Sequence, residues 1–77
     1  MDEALKEMIA LGASYAVNCH PCMEYHKQKA IEAGVTEDQM RAALEVGAQV
    51  KNGAANITRK KAKALFGDID DQQSCSA

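Results

Sequence analysis

A chain of 77 residues with 9 Lys+Arg against 11 Asp+Glu, a net charge of −2, has the length of one small domain and lacks the basic field that nucleic-acid binding requires. No apolar run approaches the roughly 18 residues of a membrane span, and the acidic start Met1-Asp2-Glu3 predicts no secretory leader, which would open on basic residues. Fourteen of the apolar residues are alanine, with one Phe, two Tyr and no Trp, so a single copy should bury only a thin core and a homo-oligomer (dimer, trimer or hexamer) is expected.

Only ten residues are Val, Ile or Thr, and they never alternate along the chain, so the expected fold is all-α: a small helical bundle of three to four helices. The first helix should run from about Glu3 to Val17, with Leu5, Met8, Ile9, Gly12, Tyr15 and Ala16 as its apolar stripe. Asn18-Cys19-His20-Pro21 interrupts it. Pro21 suits the first turn of a second helix, because the N–H it lacks would be unpaired there anyway. That helix should reach Ala33 and end at Gly34 as a left-handed cap. Thr36-Glu37-Asp38-Gln39 then reads as a capping box opening a third helix, whose core face carries Met40, Ala43, Leu44, Gly47 and Val50. Asn52-Gly53 is a turn signal, yet Ala54, Ile57, Ala64 and Leu65 resume the stripe, so either two helices broken near Gly53 or one long kinked helix is expected, the break being favoured. The helical domain should therefore span residues 1–67. Residues 68–77, acidic and poor in core formers, should form a disordered tail.

Three cysteines are an odd count for a secreted disulfide scaffold, and the chain reads as cytoplasmic. Cys75 belongs to the tail, as an accessory thiol or a bystander. Cys19, Cys22 and His26 stand at i, i+3 and i+7, which on a helix confines them to about 60° of arc. A Cys-x-x-Cys at a helix start can close a disulfide or cycle as a dithiol. A thiol with a free pKa of about 8.5 is mostly protonated at neutral pH, so a neighbouring imidazole and the helix N-terminus would both favour the reactive thiolate. Two buried inert cysteines, or half of a zinc site completed by His20 or by a second subunit, are the other readings of the same residues. Met23 follows the second cysteine where haem attachment needs His. Tyr25 reads as a core or interface aromatic, and Arg59-Lys60-Lys61-Ala62-Lys63 as a solvated helix face.

Glu7, then Cys19-His20-Pro21-Cys22-Met23-Glu24-Tyr25-His26, then Ala33-Gly34-Val35-Thr36 resembles the AhpD-like branch of the carboxymuconolactone decarboxylase family over about Glu3 to Val50. The resemblance implies a thiol-dependent peroxidase or disulfide reductase. It makes Cys22 the peroxide-reactive thiol and Cys19 its resolving partner, with His26 and Glu7 as a proton relay. It implies no bound cofactor, a hydroperoxide or disulfide substrate, and an external dithiol reductant of lipoyl or thioredoxin type carried by a redox partner protein. Glu7 lies off the apolar stripe and shares its face with Leu11 and Ser14, so the relay requires that face to pack on the second helix. The decarboxylase activity that names the wider family, which generally does not use paired cysteines, and a non-catalytic thiol or metal-binding module are the competing functions.

Overall fold

A computed structural model describes residues 1–69 of the chain as three α-helices, α1 (Glu3–Ala16), α2 (His20–Glu32) and α3 (Glu37–Phe66), with no strand among the described residues. The expected tail and Cys75 fall outside the described residues, apart from Asp68 and Ile69. Local chemistry sets the helix starts. The Asp2 carboxylate accepts the Leu5 N–H at 2.7 Å to cap α1. At α3 the Thr36 hydroxyl accepts from the Gln39 N–H while the Gln39 side chain accepts from the Thr36 N–H, completing the expected capping box.

The two junctions repeat one device. Past α2, Gly34 takes φ +84° and its N–H bonds the Ile31 carbonyl, while the Val35 N–H bonds that of Ala30. Past α1, Asn18 takes φ +60° and its N–H bonds the Tyr15 carbonyl, while the Cys19 N–H bonds that of Ser14. Both are Schellman closures with a left-handed residue one place beyond the cap. After α1 the closure is so tight that Cys19, its last member, is already the N-cap of α2.

α1 lies between the other two helices, and this corrects the expected stripe. A helix with neighbours on two sides has two contact faces, whereas a periodicity reading looks for one. The buried residues of α1 are Glu7, Leu11 and Ser14, while Leu5, Ile9 and Tyr15 from the expected stripe are exposed. Met8, Gly12 and Ala16 do turn toward α3. There the backbones nearly touch: a Cβ placed on Gly47 would stand 2.2 Å from the Gly12 carbonyl oxygen, and one on Gly12 2.9 Å from that of Ala43. Only glycine fits at Gly47.

Of the expected α3 face, Met40, Ala43 and Gly47 are buried, Leu44 is half-buried and Val50 is exposed. The core is correspondingly thin, with Leu11, Ala30, Val35, Met40 and Ala43 as its buried apolar residues. The expected break at Gly53 does not occur, and α3 continues for 30 residues. A hairpin turn at Asn52-Gly53 would need a positive φ, which Gly53 does not adopt. A helical glycine costs about 1 kcal/mol relative to alanine; the alanine- and lysine-rich flanks carry the helix through. Beyond about residue 51 this helix has left its neighbours, and Ile57, Leu65 and Phe66 are exposed. No helix among the described residues is long and apolar enough to cross a membrane.

Candidate thiol and histidine site

The site forms where α1 delivers the chain into α2. Cys19 stands at the N-cap and Cys22 in the first turn, and the two are joined as a disulfide with Cα atoms 5.2 Å apart. Both are half-buried. Pro21 lies between them, in the first turn where its missing N–H leaves no helical bond unmade. His26 follows Cys22 by four residues on the same helix, one turn further along, so the two side chains are surface neighbours.

Across the interface, His26 Nδ1 lies 2.7 Å from Glu7 Oε1. The Glu7 side chain is 7% exposed and the imidazole half-buried. A buried carboxylate requires a partner, and among the described residues no buried side-chain nitrogen or oxygen is left without one. An ionised carboxylate only accepts hydrogen bonds, so this contact keeps the hydrogen on Nδ1 and leaves Nε2 as the basic nitrogen. Glu7 reaches His26 because the Glu7–Leu11–Ser14 face packs on α2, the condition set by its position off the apolar stripe. Its other side borders a polar cleft lined by Glu3, Lys29 and Glu32.

The remaining candidates separate. His20 is exposed at the start of α2. Tyr25 is 59% exposed rather than core; its ring stands edge-on to His26 with centroids 5.0 Å apart, and Lys29 Nζ sits 5.7 Å from its centroid. Among the described residues, no group of three or more His, Cys, Asp and Glu side chains is arranged to hold a metal ion. Arg59, Lys60, Lys61 and Lys63 lie on the part of α3 that has left the bundle, where the Arg59 guanidinium donates to Asn56.

One residue beside the site, Lys51, escaped the sequence reading, as did the use made of the Asn18 side chain. Lys51 Nζ, from α3, donates to Asn18 Oδ1 and lies 5.2 Å from the centroid of the Tyr15 ring. The available signal was an asparagine standing where a helix end favours glycine.

An all-helical scaffold with a Cys-x-x-Cys at one helix start and a Glu-bound His one turn beyond defines a helical thiol-site protein. The chain belongs to the carboxymuconolactone decarboxylase family, whose model matches residues 1–62. It is also similar to a Paracoccus denitrificans protein described as "Uncharacterized protein 4 in cox locus", with 33% identity over 70 residues that cover 91% of this chain and 63% of that protein. The chain thus spans less than two thirds of that relative's length. No solved structure matches it.

Proposed function

We propose that this protein is a thiol-dependent peroxidase or disulfide reductase of the AhpD-like kind, cycling Cys19 and Cys22 between dithiol and disulfide. The observation that carries the reading is the 2.7 Å contact between Glu7 and His26, one helical turn from a cysteine pair close enough to be joined. A histidine oriented in this way has a basic nitrogen free for a neighbouring thiol proton. The decarboxylase activity in the family's name generally does not use paired cysteines. Finding the pair and the His–Glu contact in one site favours thiol chemistry.

In the proposed cycle His26 Nε2 takes the Cys22 proton, and the thiolate attacks the nearer peroxide oxygen. The O–O bond breaks, Cys22 becomes a sulfenic acid, and the proton held by His26 goes to the departing alkoxide, giving an alcohol. The Cys19 thiol then attacks the Cys22 sulfur, releasing water and closing the disulfide. An external dithiol of lipoyl or thioredoxin type, carried by a redox partner protein, reduces that bond by two thiol–disulfide exchanges and leaves as the oxidised disulfide. The working compartment in this reading is the cytoplasm, and the working unit is a homo-oligomer assembled over the bare face of α3.

The test is consumption of an organic hydroperoxide with dihydrolipoamide or dithiothreitol as reductant, comparing wild type with Cys22→Ser, Cys19→Ser and His26→Gln. Wild type should turn over and the three variants fall toward background. Equal rates in all four would remove the enzymatic reading.

A further inference from the structure

The two Schellman closures differ in one respect. Gly34 ends α2 with no side chain, and a Cβ there would meet nothing within 4 Å, so conformational ease alone accounts for it. Asn18 ends α1 in the same left-handed region, where a side chain is unfavourable and asparagine is among the few residues tolerated. Here the side chain is used: its Oδ1 accepts from Lys51 of α3, whose ammonium also lies 5.2 Å from the Tyr15 ring centroid. Tyr15 supplies the carbonyl that the Asn18 N–H bonds. Lys51 therefore touches both residues that close the turn, and the next residue after Asn18 is Cys19.

We propose that Lys51 is a positioning residue for Cys19: by clasping Asn18 over Tyr15 it fixes the left-handed turn that presents the first sulfur to Cys22, and so favours closure of the Cys19–Cys22 disulfide. The inference rests on the pair being a redox couple, as in the proposed function, and requires no peroxide chemistry. Closing a disulfide depends on the effective concentration of one sulfur at the other, and a turn whose two closing residues are both held by Lys51 raises it. Without the clasp Cys19 samples more orientations. The dithiol gains entropy that the disulfide does not, and the couple becomes less reducing.

The experiment is a redox titration of the full chain in dithiothreitol and glutathione buffers, read by thiol alkylation and mass, with Cys75→Ser in every sample. Lys51→Met and Asn18→Gly should each move the equilibrium about three- to tenfold toward the dithiol, the range of one ordinary net hydrogen bond at an exposed position. At 29.6 mV per tenfold for two electrons this makes the potential less negative by about 14–30 mV. The double variant should move no further than Lys51→Met alone, because that change already removes the contact Asn18→Gly removes, and Lys51→Arg should stay within twofold of wild type. Asn18→Gly keeps the backbone easy at positive φ, so it separates loss of the clasp from failure to fold. Single variants within twofold of wild type, or a double variant showing the sum of the two shifts, would overturn the proposal. A wild-type pair that titrates reversibly but consumes no hydroperoxide would remove the peroxidase reading and leave this one standing.

Discussion

Glu7 of α1 and His26 of α2 meet across the interface between their helices, Oε1 to Nδ1 at 2.7 Å, with the carboxylate almost wholly shielded from water. The pair ties the proposed proton acceptor to the helix that precedes the cysteines, so the imidazole is oriented before any substrate arrives. Removing the base and removing its orienting group should have different consequences. We expect His26→Gln to lower kcat/KM for a hydroperoxide by about 10²–10³, the usual weight of a positioned acid–base group. Glu7→Gln keeps an oxygen that can accept from Nδ1 but loses the charge, and should lower it by about tenfold. Steady-state rates at matched folded fractions check both, and wild-type rates in both variants would exclude the relay.

The N-cap position of Cys19 and the proximity of Cys22 to His26 pull in opposite directions. A helix N-terminus favours an anionic sulfur at the cap, whereas a base one turn on favours the second thiol. We expect the imidazole to decide. In a Cys75→Ser background, itself expected to turn over at the wild-type rate, Cys19→Ser treated with one equivalent of hydroperoxide should carry a sulfenic acid on Cys22, trapped by dimedone and located by mass. Label on Cys19 in the Cys22→Ser chain, and none on Cys22 in the other, would reverse the two roles.

Most of the fold could be read from local chemistry. Pro21, Gly34 and the Thr36/Gln39 box each mark a helix end by a mechanism confined to a few residues, and the helices end close to where those marks stand. What the sequence hid was tertiary. Glu7, which the family resemblance and not the helical periodicity singled out, is buried on a face that a single-stripe reading leaves to solvent, because α1 has two neighbours. Gly53 carries a turn signal that its flanks override, so α3 runs on. Lys51 reaches Asn18 from the far end of the sequence, and no spacing rule links them. The site residues Cys19, Cys22 and His26 share one face of one helix start and are therefore visible; those that orient them come from other helices.

The contact between α1 and α3 depends on two glycines that allow one backbone to rest on the other. A Cβ at Gly47 would overlap the Gly12 carbonyl oxygen at 2.2 Å, and backbone on both sides prevents local relief. Gly47→Ala should therefore separate the helices and destabilise the protein by about 1–3 kcal/mol, despite alanine's better helix propensity. For a domain of this size that is a fall in Tm of roughly 4–8 °C per kcal/mol, followed by circular dichroism at fixed protein concentration. An unchanged or raised Tm would show that the two helices are not held at this separation.

The outer half of α3 poses the opposite problem, apolar residues that no other described residue covers. Val46, Val50, Gly53, Ile57 and Ala64 fall within about 60° of arc, and the first two line an apolar groove of about 400 Å³ against Met8, Ile9 and Ala16 of α1. Val46, Val50 and Ile57 are all more than half exposed in the single chain. A stripe that leaves the bundle yet stays apolar calls for a second copy, which would extend a core too thin to stand alone. We therefore expect wild type to sediment as a dimer or larger assembly, and Val50→Glu/Ile57→Glu to sediment as a monomer with a Tm lowered and no longer dependent on protein concentration. In that monomeric background Gly53→Ala, whose Cβ would meet nothing within 4 Å, should recover about 0.5–1 kcal/mol through helix propensity alone. Wild type that sediments as a monomer at micromolar concentration, with a Tm unchanged by dilution, would mean that the stripe has some other use than self-assembly.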